Sequence, residues 1–199
     1  MASTAEATST RILDAALALF SEHGFDGTTL QQIADRLGVT KAALYYYFKS
    51  KDALLDALIT PAITDLEQLL DEHEAAADTP ARRRQFMQGY LDYLLRHRRL
   101  IAYISRDLAT LAHPAIAAGN RERRARLEAM LLGDAVDFQQ QVRVAMTFGG
   151  IQAAIAQYPD VADSELRAAL LDAAGSLLRP RPRRRPPANP AVGAVAETH

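Results

Sequence analysis

Apolar positions along this chain recur at three- and four-residue intervals almost throughout, and no stretch alternates for long, so the pattern predicts an all-α fold. The first stripe, over 10–23, carries Ile12, Leu13, Ala16, Leu17 and Phe20 and stops at Gly24, a residue suited to a helix C-terminus. A second helix is predicted over 30–37, with Thr29 and Gln32 as a capping box and Gly38 as its stop. A third, over 41–48, follows Thr40 as N-cap, and Ser50 caps a fourth. The fourth is expected to run to about residue 76, kinked or interrupted near Pro61. Further helices are predicted over 80–97, 98–112, 114–132, 137–157 and 163–178, with His113-Pro114, Gly133 and Tyr158-Pro159 marking breaks. Residues 1–9 read as an N-terminal arm. From Arg179 onward the chain is Arg, Pro, Ala and Gly, a composition that builds no core and predicts a disordered basic tail over 179–199.

Composition narrows the function classes. The 199 residues are 49% hydrophobic and 24% charged, ordinary for a globular protein. The absence of cysteine removes disulfides, zinc–thiolate sites and thiol catalysis. No apolar run approaches the ~18 residues of a membrane span, and the N-terminus lacks the basic and apolar regions of a secretion signal, so a soluble cytoplasmic protein is expected. The five histidines are scattered, and no metalloprotease, phosphate-loop, nucleophile-elbow or dinucleotide motif is present, so neither an enzyme nor a metal or other cofactor is expected. Net charge is −1, yet the tail holds five arginines against Glu197 alone, which leaves −5 for the rest. A nucleic-acid binder with an acidic body must concentrate its cations locally.

That concentration occurs between residues 24 and 55. Two short capped helices separated by Gly38-Val39-Thr40 form a helix-turn-helix, which offers its second helix to the major groove. At about 100° per residue, Lys41, Ala42, Tyr45 and Tyr46 share one side of that helix, and Leu44, Tyr47 and Phe48 share the other. Arg36, Lys41, Lys49 and Lys51 supply positive charge with no intervening acid over 36–51. Lys51 also sits at a helix start, where unpaired N–H groups attract anions. Threonine hydroxyls at Thr29 and Thr40, the amide of Gln31 and the phenols can reach phosphate or base edges, and Ala42 allows close approach.

These residues closely resemble the DNA-binding domain of the tetracycline-repressor (TetR) family over about residues 9–58. The resemblance rests on Gly24-Phe25, Thr28-Thr29, Ile33-Ala34, Leu37-Gly38-Val39, Leu44-Tyr45, Phe48, Lys51 and Leu54-Leu55 in one order and spacing. It implies a homodimeric, ligand-responsive repressor of a pseudo-palindromic operator. Residues 10–50 would bind DNA, and a larger helical domain over 51–178 would bind a small-molecule effector and dimerise. Family DNA contacts fall on Leu30, Gln31, Thr40, Lys41, Ala42, Tyr45, Tyr46, Tyr47 and Lys51. Leu30 departs from the polar or small residue usual there, and Tyr47 lies on the core-facing side.

For the effector, the resemblance implies a pocket, and aromatic and flexible side chains supply its candidate lining: Phe86, Tyr90, Tyr103, Met146 and Phe148, together with Met87, Tyr93, Met130 and Phe138. Arg106, Asp107 and Gln152 are candidates to orient a ligand. The family's C-terminal helices form an intersubunit bundle, which puts the dimer seam on 138–157 and 163–178. Gly149, Gly150 and Ala153 would allow close approach there, with Leu166, Leu170, Leu171, Ala174 and Leu178 contributing. The arginine runs 82–84 and 121–126 have acids nearby and read as solvated faces or ion pairs. A rival reading is a helical small-molecule-binding or protein-interaction bundle that uses its helix-turn-helix only for packing.

Overall fold

A computed structural model describes residues 4–132 and 137–178. The expected tail over 179–199 therefore lies outside the described residues. The chain forms α1 (Thr4–Gly27), α2 (Leu30–Leu37), α3 (Lys41–Tyr47), α4 (Lys51–Glu74), α5 (Pro80–Arg96) and α6 (Arg98–Ile104). Then follow the short α7 (Leu108–Leu111) and α8 (Pro114–Ala117), and the longer α9 (Asn120–Leu132), α10 (Phe138–Gln157) and α11 (Asp163–Leu178). Among the described residues there is no strand.

Two apolar clusters organise these helices. The first gathers Ile12, Ala16, Phe20, Ile33, Leu44, Leu54 and Leu55, joining α1, α2, α3 and the start of α4. It also takes in Leu100 and Tyr103 from α6 and Ile116 from α8, so its packing extends well past residue 50. The second gathers Leu70, Phe86, Tyr90, Leu94, Met130, Val144, Phe148, Ile155, Leu166 and Leu170, from the far half of α4 with α5, α9, α10 and α11. Helix α4 thus runs through both clusters.

Several elements differ from the sequence expectation. Helix α1 begins at Thr4, so residues 4–9 are not an arm. Ala5 and Ala7 are strong helix formers, Glu6 sits where the helix dipole favours an acid, and the Thr10 hydroxyl donates to the Glu6 carbonyl at 3.0 Å. Helical structure resumes after Gly24, whose φ of 75° and ψ of 167° put one non-helical residue inside the element. Helix α4 is one element through Pro61, which faces solvent, while the Thr60 and Thr64 hydroxyls donate to the Asp56 and Thr60 carbonyls. The expected helices over 98–112 and 114–132 each divide, because Asp107 caps α7 and Gly119, at φ 69°, takes a left-handed turn before α9.

Arginines of both runs enter ion pairs. Arg82 and Arg83 both meet Asp78, Arg123 meets Glu67, and Arg126 is held by Glu67, Asp71 and Glu74. The hydrogen bonds that Arg126 donates to Glu74 and Asp71 raise its pKa further above the ordinary value.

Gly24 is the position where a side chain costs most through the backbone. Replacing it with alanine forces a Cβ into the left-handed region and brings it to 3.4 Å from Asp107 Oδ2. Gly24→Ala is expected to lower the unfolding free energy by about 1–2 kcal/mol, read from urea denaturation.

Candidate nucleic-acid interface

Helices of eight and seven residues are too short to persist alone, so α2 and α3 depend on caps and on packing. The Thr29 hydroxyl accepts from Gln32 N at 3.2 Å, and Gln32 Oε1 accepts from Thr29 N at 2.7 Å, completing the capping box. Gly38 closes α2 at φ 67°, with the Val39 N–H donating to the Ala34 carbonyl at 3.0 Å. Thr40 Oγ1 accepts from Ala43 N at 3.1 Å, and Ser50 Oγ accepts from Ala53 N at 3.0 Å. Leu44, fully buried, then pins α3 among Ile33, Ala34 and α4.

This anchoring leaves Lys41, Ala42, Tyr45 and Tyr46 exposed along the opposite side of α3. Tyr46 is 76% exposed and Tyr45 38%, unusual for aromatic side chains with no partner covering them. Lys41 Nζ stands 5.7 Å from the centre of the Tyr45 ring, an attraction that steadies both. Tyr47 turns inward, half-buried, with its ring edge-on to Tyr46 at 5.2 Å. The exposed side therefore carries one cation, two phenols and a methyl, chemistry suited to phosphate oxygens, base edges and thymine methyls.

Other expected contacts are already engaged. Thr29 spends its hydroxyl on Gln32, donating to Oε1 at 2.9 Å as well as capping. Gln31 Nε2 donates to Asp35 Oδ1 at 2.7 Å, although both side chains are exposed. Arg36 forms a two-pronged pair with Glu22 of α1 at 2.8 and 2.9 Å, and the hydrogen bond from Arg36 holds the Glu22 carboxyl below the usual carboxylate range. Lys51 Nζ donates to the Phe25 carbonyl at 2.5 Å and lies 4.3 Å from the Phe25 ring centre. Lys49 remains exposed with no ion pair among the described residues. One cation absent from the sequence expectation joins it. Exposed Arg11, on α1, borders a shallow groove with Val39, Ala43 and Tyr47. Nothing within 24–55 signals Arg11; only the packing of α1 on α3 places it there.

A second feature is a cavity of about 480 Å³ between α4, α5, α6, α9 and α10. Its walls are mainly aliphatic, including Ile59, Ile63, Leu66, Leu94, Ile101, Ile104 and Ile116, with Tyr90, Tyr93, Phe148, Arg123, Arg124 and Gln152. Burial pushes the Tyr93 hydroxyl up to about 12 and holds that of Tyr90 well above its ordinary value, so both are neutral donors. Of the expected lining, Tyr90, Phe148 and Gln152 border this space. Phe86 instead stacks behind Tyr90 at 6.2 Å, and Tyr103 packs on Phe20 in the first cluster. Met146 points outward, 57% exposed. Arg106 donates to the Ala156 carbonyl, and Asp107 accepts from Phe25 N, so neither faces the cavity wall. The aliphatic lining escaped sequence reasoning because isoleucine and leucine at helical spacing look the same in a wall as in a solid core.

The outer side of α10 forms a third feature. Phe138, Val142 and Met146 are exposed there, with Gly149, Gly150 and Ala153, and a Cβ built on either glycine meets nothing within 4 Å. Leu177 of α11 is 37% exposed. Leu166, Leu170 and Ala174 are instead buried in their own chain, and Leu171 and Leu178, partly buried, pack on the same cluster. The period places them on the side of α11 facing α10 and α5.

Residues 12–58 match the family model described as bacterial regulatory proteins, tetR family. The chain is 29% identical over 104 residues to a probable HTH-type transcriptional regulator, YttP, of Bacillus subtilis, covering 51% of this chain and 50% of that one. It is 50% identical over 46 residues to IcaR, the HTH-type negative transcriptional regulator of the biofilm operon icaADBC in Staphylococcus aureus. That match covers 23% of this chain and 25% of IcaR, so the chain spans half or less of the curated relatives it resembles. In fold it is similar to AmtR of Mycobacterium smegmatis, with a TM-score of 0.67, 24% identity and 84% of each chain covered.

Caps and exposed residues separate in stability measurements. Thr40→Ala is expected to cost about 1 kcal/mol of unfolding free energy through the lost cap. Tyr46→Ala should change it by less than about 0.5 kcal/mol, since the ring buries little. Urea titration of both variants checks the contrast.

Proposed function

We propose that the chain, whose residues 12–58 match the tetR family model, is a ligand-responsive transcriptional repressor of that family that binds a pseudo-palindromic operator as a homodimer. The observation that carries this reading is the outward side of α3, where Lys41, Ala42, Tyr45 and Tyr46 stand uncovered on a helix pinned from behind by Leu44. Residues 10–50 act as the reading head, and residues 51–178 as the sensing and dimerising part. Thr40 and Gln31 border the groove, Thr29 serves α2 as a cap, and Lys51 meets phosphate with the donors left after its bond to Phe25. Acting on chromosomal DNA, the protein works in the cytoplasm.

The dimer seam runs along the outer side of α10, through Met146, Gly149, Gly150 and Ala153, with Leu177 of α11 beside it. Two reading heads then enter successive major grooves with half-site centres about 34–36 Å apart. A small molecule in the cavity, largely apolar with a polar end near Gln152 and Arg124, binds better to a spacing of heads unsuited to DNA. Linkage requires DNA to weaken that ligand by the same factor.

The cation inventory sets the salt dependence. With Arg36 paired to Glu22, Lys41, Lys49 and Lys51 remain as the phosphate-facing set on the reading head and Arg11 joins them from α1, so a dimer neutralises about six to eight phosphates. Affinity is then expected to fall by about 10³–10⁴ between 50 and 200 mM salt. Fluorescence anisotropy with a duplex selected from a random-sequence pool measures it. Lys41→Ala and Tyr46→Ala should each weaken that complex at least about fivefold while leaving the melting temperature unchanged. If neither does, α3 is not the reading helix. Met146→Glu should shift the protein to monomer in sedimentation velocity at micromolar concentration and lose tight duplex binding with it; a dimer that persists removes α10 from the seam.

A further inference from the structure

The peptide unit of Phe25 is held from three directions. Gly24, at φ 75°, turns the chain so that the Phe25 N–H leaves the axis of α1 and donates to Asp107 Oδ2 at 2.8 Å. The Phe25 carbonyl accepts from Lys51 Nζ at the first residue of α4. Its ring lies between the Lys51 ammonium and the edge of His113, whose ring centre is 6.1 Å away. His113 in turn lies 3.4 Å from Asp52 and 3.8 Å from Asp56 on α4. Phe25 stands five residues before α2, so its placement sets the pose of the α2–α3 wedge.

The other end of this arrangement is tied by hydrogen bonds within its own segment. Asp107 Oδ1 accepts from Thr110 N at 3.0 Å, capping α7, and Oδ2 also accepts from the Tyr103 hydroxyl at 3.1 Å. Tyr103 and Thr110 bond each other, and Thr110 is fully buried. The same segment of chain, residues 104–116, contributes Ile104, Ser105, Leu111 and Ile116 to the cavity wall. One stretch of thirteen residues thus lines the cavity on one side and grips the backbone beside the reading head on the other.

We propose that the hydrogen bond from the Phe25 N–H to the Asp107 carboxylate is the link through which filling of the cavity repositions the reading head. An occupant that pushes on Ile104, Leu111 or Ile116 displaces Asp107, and the short, charge-assisted bond carries that displacement to Phe25 and the wedge behind it. Asp107 is accordingly a positioning residue, acting on DNA only through Phe25. The proposal rests on the reading of the cavity as an effector site and of α3 as the DNA-reading helix.

The test fills the cavity with a side chain and asks whether DNA affinity responds through residue 107. Ala145, on the α10 wall and outside the 104–116 segment, is replaced by phenylalanine. Asp107→Ser removes the reach to Phe25 but leaves an oxygen able to cap Thr110 N, which separates the link from local stability. The ligand is a duplex selected by the wild-type protein from a random-sequence pool. Ala145→Phe is expected to change the dissociation constant about tenfold in the wild-type background and less than twofold in the Asp107→Ser background. An equal change in both backgrounds, or none in the wild type, overturns the link while leaving DNA binding intact. A protein that selects no duplex overturns the DNA-binding reading instead. Hydrogen exchange of the Phe25 amide in the free protein decides independently of DNA, and of whether Asp107→Ser folds. Ala145→Phe should change its protection severalfold, and an unchanged rate overturns the link.

Discussion

Burial of Leu44 is the constraint on which the pose of α2 and α3 depends. Helix α3 has seven residues and α2 eight, lengths at which backbone hydrogen bonding alone does not offset the entropy of forming a helix. Their persistence comes from the shared cluster with Ile33, Ala34, Phe20, Leu54 and Leu55, each of them nearly or fully buried. Once Leu44 is inward, the helical period leaves Lys41, Ala42, Tyr45 and Tyr46 outward with no freedom to choose otherwise. The functional side of α3 is thus a consequence of the packed side.

Charge illustrates how tertiary structure edits a local pattern. Along the chain, Arg36, Lys41, Lys49 and Lys51 form an acid-free run that suggests one continuous positive surface. In three dimensions α1 brings Glu22 against Arg36, and the turn at Gly24 brings the Phe25 carbonyl against Lys51. The first pairing takes a cation out of that run and ties α1 to α2. The second ties the start of α4 to the end of α1. Arg11 partly restores the balance from a distance in sequence that no window over the helix-turn-helix spans.

The sensing half shows a different limit. Aromatic and methionine side chains favour pockets, yet isoleucine and leucine from six helices make up about half of the cavity lining. Phe86 and Tyr103 instead fill solid core, where a large flat side chain buries the most area. Asp107 illustrates the same point with a polar group. A candidate to orient a ligand, it instead accepts from a backbone amide 82 residues away.

By itself, the sequence determined the helical class, the caps of α2, α3 and α4, the stop at Gly38, and the outward residues of α3. Each of these rests on interactions within one or two turns, where spacing along the chain equals spacing in space. The start of α1 at Thr4, the continuity of α4 through Pro61, the engagement of Arg36 and Lys51, the walls of the cavity and the inward turn of Leu166, Leu170 and Ala174 were decided only by tertiary structure. An amphipathic helix announces that one side is buried, but a neighbour's position decides which partner buries it and which of its charges finds a counter-ion.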